Sequence, residues 1–359
     1  MFFVACDIQT GQIQAELPLN SGDCFERAMQ TVSTANFSLP IYDPACPRDW
    51  ESLTAPWRFW VVAVLDDGTI AWGGIITGRS RNATSGVVSI SCSSPEDYLD
   101  RRYTPARRFD QVDQSDIAVW LVRQAIPDGI PFLIDAPKSG VKRDREYHDD
   151  DAATLYKRLS DLSGVIGGPE WHISIEWQDR QRQNAIIPLF KCGTPRIGIA
   201  TGEPQAVFEL PGGLIEATLE ERFGESEYAT HVIAAGGGEG EDRPLSTPQI
   251  AIDRENAGYP RVEVRKTFDS VTLKPTLDTH AKGLLAALSG GVQVFTLTQK
   301  LDEYPRLGVD WHMGDDVRLV IDTDSLKIDR KIRVVGWSLD PAKELVKPYV
   351  AQIGGSDAG

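Results

Sequence analysis

The residues of this 359-residue chain with the most capacity for chemistry are its carboxylates, histidines, cysteines and glycines, and their spacing decides whether they can act together. His148-Asp149-Asp150-Asp151 places four potential metal ligands in a row. Adjacent side chains diverge, however, and Asp is an ordinary residue at a helix start, so capping is the preferred reading. His172, His231, His280 and His312 stand alone, with no HExxH, and read as packed or surface imidazoles. Gly236-Gly237-Gly238-Glu239-Gly240 lacks both the GxxxxGK[ST] of a phosphate loop and a GxGxxG opening a helix, so it reads as a flexible joint. No GxSxG elbow is present. Cys6, Cys24, Cys46, Cys92 and Cys192 are an odd number of scattered thiols without CxxC spacing, which fits reduced cysteines better than a disulfide framework or a zinc site. Glu170 and Glu176 could be imagined as a glycosidase pair, but six residues along a strand separate them by about 20 Å, against the roughly 5 to 10 Å that chemistry uses. Trp50, Trp57, Trp60 and Trp72 could line a sugar site; in alternating strands they read rather as core or subunit interface. No catalytic, cofactor-binding or metal-binding residue is assigned, and no cofactor is expected.

Composition narrows the classes further. Fifty-two Asp and Glu against 37 Lys and Arg leave a formal charge of -15, which argues against general affinity for nucleic acid or anionic membranes, because phosphate binding needs clustered cations. Phe59 to Leu65 is among the longest apolar runs, far short of the roughly 20 residues a membrane span requires. Met1 to Asp7 carries no basic region ahead of an apolar one, so no secretory signal is visible and synthesis in a cytosol is expected. The length exceeds what one core of roughly 250 to 300 residues fills, so two or three domains are expected.

The elements that would position these residues are mostly strands. Phe2 to Ile8, Phe25 to Val32, Arg58 to Leu65, Ile70 to Arg79 and Gly86 to Cys92 are short β-branched or aromatic runs, and Asp66-Asp67-Gly68 is a hairpin signal between two of them. Residues up to about Thr104 therefore read as an antiparallel barrel or sandwich. From Pro105 the texture changes. Asp116 to Ala125, after Ser115, has Ile117, Trp120, Leu121 and Gln124 at helical spacing, and Asp149 to Ser163 predicts a second helix with Leu155, Leu159 and Leu162 on one face. Trp171 to Trp177 alternates His-Ser-Glu against Trp-Ile-Ile-Trp at the strand period, with Ala185 to Phe190 as its hairpin partner. Strands resume at Ala206 to Leu210, Ile215 to Arg222 and Ala229 to Ala235. Arg261 to Phe268 follows as strand and Leu277 to Leu288 as helix, and Ser289-Gly290-Gly291 ends that excursion. Val292 to Leu297, Val317 to Ile321 and Lys331 to Leu339 close the chain as antiparallel β.

Three passages resemble a known family. They are "APWRFWVVAVLDDGTIAWGGIITG" (Ala55 to Gly78), a strand, hairpin and strand with a Trp-Gly-Gly element; "ESEYATHVIAAGGGEG" (Glu225 to Gly240), a hydrophobic strand running into glycines; and "LGVDWHMGDDVRLVI" with "KIRVVGWSLD" (Leu307 to Asp340), a Gly-Asp turn into a strand and a closing Arg-Val-Val-Gly strand. In this order along the chain they are similar to siphophage minor tail proteins of the tail-hub or baseplate-hub type, related in fold to the amino-terminal module of tail-associated lysins.

That resemblance implies a β-rich α+β architecture of two tail-tube-like antiparallel β-barrel or sandwich domains plus a peripheral α/β domain. The first barrel would be 1–104. The peripheral domain would be 105–205 with a return at 245–291, and the second barrel would be 206–244 completed by 292–359. It also implies a homotrimeric ring at the virion tail tip of a long non-contractile tail. Its partners would be the distal tail protein, the tape-measure protein and central fibre or spike proteins. DNA would be only passing cargo in the lumen, which an excess of carboxylates would keep from sticking. The rivals are a tail-associated cell-wall-degrading enzyme and a carbohydrate-binding receptor module. The first would need a catalytic domain after the last barrel strand, for which a chain stopping at Gly359 is expected to leave no room, and the second an exposed aromatic platform.

Overall fold

The computed structural model describes residues 1–20, 24–82, 84–198, 204–238, 243–269 and 271–352, so Glu239 and Gly240 of the glycine run lie outside the described residues. The chain divides into two compact units. Met1–Ala217 and Leu297–Ala351 form the first, and the second contains Thr218–Thr296.

The first hundred residues of the larger unit hold β1 (Phe2–Asp7), β2 (Ile13–Leu17), β3 (Phe25–Ala28), β4 (Thr34–Pro40), the single turn α1 (Trp50–Leu53), β5 (Phe59–Val64), β6 (Ile70–Arg81), β7 (Val87–Ser93) and the single turn α2 (Glu96–Leu99). All of these strands except β3 form a six-stranded sheet in the order β2-β1-β5-β6-β7-β4. The uninterrupted apolar run of β5 is buried at every position, because both faces of the sheet are covered. The hairpin predicted at Asp66-Asp67-Gly68 joins β5 to β6: Gly68 takes φ +85°, its N–H donates to the Leu65 carbonyl, and the Leu65 N–H donates to the Thr69 carbonyl.

Next come β8 (Arg107–Asp113), α3 (Gln114–Arg123), β9 (Leu133–Asp135), β10 (Lys142–Tyr147), α4 (Leu155–Ser163), β11 (Glu170–Trp177) and β12 (Ile186–Gly193). One hydrophobic core runs from Val4, Trp60, Val62 and Ile75 of the six-stranded sheet through Ile117, Leu121, Leu155 and Leu159 of the helices to Trp171 and Phe190. Each such side chain contributes about 1.5–3 kcal/mol on burial. Helix α3 starts two residues before its predicted position, because Asp113 rather than Ser115 caps it, accepting from the Ser115 N–H at 2.9 Å. The second helix begins later than the acidic run suggested. Asp149–Asp151 make one 3-10 turn, Ala152 at φ +48° breaks the run, and Thr154 caps α4 by accepting from the Lys157 N–H.

The remainder holds β13 (Val207–Leu210), β14 (Leu214–Arg222), β15 (His231–Gly236), β16 (Gln249–Ile250), α5 (Ile252–Asn256), β17 (Glu263–Phe268), α6 (Lys274–Leu288), β18 (Val292–Lys300), β19 (Asp316–Asp322), β20 (Lys327–Asp340) and β21 (Leu345–Gln352). A second large sheet has the order β13-β19-β20-β21-β18-β14, with β3 added beside β20. The predicted strand Phe25 to Val32 thus ends at Ala28, and it pairs not with the sheet of the first hundred residues but with β20, Phe25 opposite Leu339 and Arg27 opposite Trp337. In the smaller unit β15 is the middle strand of a sheet β16-β15-β17, parallel to β17, with α6 packed through Leu277 and Ala281 against Val232 and Ala234. The chain is β-rich throughout. No described helix is long and apolar enough to cross a membrane.

Candidate functional site

Within the larger unit a cavity of about 440 Å³ opens where four pieces of chain meet: the β5–β6 hairpin, β11, the 307–313 loop and the paired strands β3 and β20. Its position follows from the topology. Strand β11 is the edge of its sheet, so one side of it has no neighbouring strand. The hairpin tip is fastened to the end of that edge by the Trp177 indole N–H, which donates to the Gly68 carbonyl at 2.8 Å.

Beside the cavity lies a buried ion pair. Arg27 donates to both Glu96 oxygens at 2.9 and 2.7 Å, and also to the Ile173 carbonyl, while the Ile173 N–H donates to Glu96 at 3.3 Å. Glu96 is 0 % exposed and Arg27 7 %. One guanidinium and one carboxylate therefore hold β3, α2 and the open edge of β11 together. A second clamp joins β11 to β20: Arg333 meets Glu170 through two bonds of 2.8 and 2.6 Å and also donates to the carbonyls of Ile197 and Gly314. Planar two-point pairing of this kind fixes orientation as well as distance.

The polar face predicted for Trp171 to Trp177 lines this cavity. His172 is 4 % exposed, and burial pushes its imidazole down to about 3, helped by the positive charges of Lys191 and Arg27 and opposed by the Asp315 carboxylate. Its Nδ1 has no hydrogen-bond partner, and neither has the buried indole N–H of Trp72 on the cavity wall. Lys191 lies directly across the ladder from His172. Its ammonium is 3.8 Å from Glu176, which also accepts from Ser174 Oγ at 2.9 Å.

The other residues singled out from sequence are dispersed. His148 and Asp149–Asp151 lie on the surface, and Asp151 pairs with Arg158. Glu170 is engaged by Arg333 while Glu176 faces the cavity, so the two carboxylates serve different places. Trp60 and Trp72 are core residues, whereas Trp57 is 38 % exposed and Trp50 lies under the Arg81 guanidinium at 5.0 Å. His231 bridges Glu255 at 3.0 Å and Thr230 at 3.0 Å, His280 stacks on Phe268 and His312 adjoins Asp315. Burial pushes the thiols of Cys6 and Cys192 up to about 12 and raises that of Cys92 further, so these three stay protonated and poorly nucleophilic. Among the described residues no three His, Cys, Asp or Glu side chains converge as a metal site. Sequence reasoning missed Arg27, Glu96, Lys191 and Arg333. Only the odd apolar surroundings of Arg333 in "KIRVVGW" hinted at a buried charge.

What these groups do chemically is hold strands in place, and the arrangement they hold has known counterparts. The chain superposes on the tail protein of Neisseria meningitidis MC58 with a TM-score of 0.60 at 15% identity, covering 99% of this chain and 98% of that one. It has the fold of a phage tail protein. The 43 kDa tail protein of prophage MuSo2 from Shewanella oneidensis gives a TM-score of 0.59 at 12% identity over 98% of both chains. Prophage tail protein gp18 of Listeria monocytogenes EGD-e gives 0.54 at 12% identity over 99% and 96%. No protein-family model matches the sequence, and no curated protein does. The two clamps and the cavity of this chain all lie in its larger unit.

Proposed function

We propose that this chain is a structural subunit of a bacteriophage tail, a hub at the tail tip that forms a homotrimeric ring continuing the tube of a long non-contractile tail. The observation that carries this reading is the superposition on three tail proteins over nearly the whole length of both partners, rather than over one shared module. In this role the sheet built on β1 and β5 and the one built on β19 and β20 supply the two tube-like halves, and the helix-bearing segments lie at the periphery. The distal tail protein, the tape-measure protein and central fibre proteins are its neighbours, and DNA passes without binding. The formal charge of -15 suits such a lumen through like-charge repulsion. The subunit turns nothing over and uses no cofactor.

The test is the mass of the purified chain in solution, read by light scattering together with negative-stain images. A threefold ring with an open axis is expected. A monomer that clears peptidoglycan in a zymogram overturns the proposal.

A further inference from the structure

We propose that the cavity between the β5–β6 hairpin and β11 is a receptor site for a carboxylate on a small apolar body. The polar groups on its walls are short of acceptors. Trp72 Nε1 is a donor only, is buried, and has no acceptor. His172 Nδ1 is buried without a partner and donates in the tautomer that carries its proton there. The Lys191 ammonium is 3.8 Å from Glu176, too far for a hydrogen bond, and Arg180 at the rim is 3.8 Å from the same carboxylate. Glu176, the carboxylate between them, already accepts from Ser174. An acceptor-only group with negative charge answers this surplus, and a carboxylate supplies two such oxygens.

Charge points the same way. Lys191 and Arg180 both stand 3.8 Å from the single carboxylate of Glu176, two cations to one anion at that end of the cavity, while Arg27 is matched by Glu96 and the exposed Asp67 lies on the hairpin. Ile70, Ile175, Met313 and Trp337 supply the apolar part of the lining, beside the polar Asp67, Thr69 and Gln183 of the rim. A volume of about 440 Å³ suits an organic acid or one acidic side chain with its neighbours. The same carboxylate could arrive free or on a segment of an adjoining protein.

The experiment follows the His172 imidazole resonances of the isotope-labelled full chain, assigned by their loss in His172→Gln. Propionate, 3-phenylpropionate and the peptide acetyl-Ala-Glu-Ala-amide are titrated at constant ionic strength, with chloride and inorganic phosphate as controls. Saturable shifts with the carboxylates are expected, 3-phenylpropionate binding more tightly than propionate. Lys191, with its side chain 26% exposed, can be altered without opening the core. Lys191→Gln is expected to weaken binding about tenfold, the loss of one charged hydrogen bond, and Glu176→Gln to tighten it. A peptide that outbinds propionate identifies an acidic side chain as the source, and the reverse order a free acid. No saturable shift, an equal response to chloride or phosphate, or affinities unmoved by both substitutions overturns the proposal. The cavity would then hold only water or an adventitious ion.

Discussion

Acidification should loosen the larger unit well before its carboxylates titrate, and His172 is the reason. Its imidazole is held near 3 in the folded chain and returns to about 6.5 on unfolding. The unfolded state therefore binds a proton that the folded state refuses, and stability falls as pH drops below 6.5. Between pH 7.5 and pH 5.0 those two values correspond to a loss of about 2 kcal/mol. The carboxylates with lowered values, Asp7, Asp113 and Asp310 among them, lose their stabilising contribution only further down, below the ordinary Asp value of 3.8. The window from 6.5 to 5 thus isolates the histidine. Guanidinium unfolding followed by tryptophan fluorescence at half-unit steps of pH should show the midpoint of the wild type falling through this window, while that of His172→Gln falls less by the equivalent of about 2 kcal/mol. Parallel pH profiles for the two proteins would refute the account of a neutral, positively surrounded imidazole.

Other substitutions test the scaffold. Arg27→Met leaves the fully buried Glu96 unpaired and should cost about 3–5 kcal/mol in denaturant unfolding, whereas Arg27→Met with Glu96→Leu should recover most of that loss. Recovery should stop short of complete, because the Ile173 backbone loses its partners. Gly11→Ala should destabilise by at least about 1–2 kcal/mol from its φ of +71° alone. Its new Cβ would also lie 1.8 Å from the Ile186 carbonyl oxygen and should unpair the β2–β12 approach, read as faster amide exchange at Ile186. Asp113→Ala removes the α3 cap and the acceptor for Ser139 and Gly140, and should lower the thermal midpoint by the equivalent of about 1–2 kcal/mol.

Legibility in the sequence tracked how local each determinant was. The β5–β6 hairpin was readable because an Asp-Gly turn and a seven-residue apolar run are neighbours in the chain. Helix α3 was readable from Ile117 and Leu121 on one face. Strands β8 and β10 were not, because Arg107–Asp113 and Lys142–Tyr147 expose most of their charged side chains and carry no apolar alternation. The polar face of β11 was legible as alternation, but that it lines a cavity was not, since burial there comes from residues more than a hundred positions away. The pairing in the two arginine clamps was illegible for the same reason: Arg27 meets Glu96, and Arg333 meets Glu170, across long stretches of chain.

The placement of β3 has a consequence for how the chain comes off the ribosome. Phe25–Ala28 emerges early, but Gly336–Leu339, which it must join, emerges roughly 300 residues later, some 15–60 s at ordinary rates of bacterial synthesis. Through that interval Phe25 can pack on Phe37 and Trp72 but lacks Trp337, and the backbone groups of β3 wait without the β20 ladder, an open edge beside many copies of itself. Fragments ending before β20 should accordingly be insoluble when expressed alone, and this protein is completed only as its last strands are made.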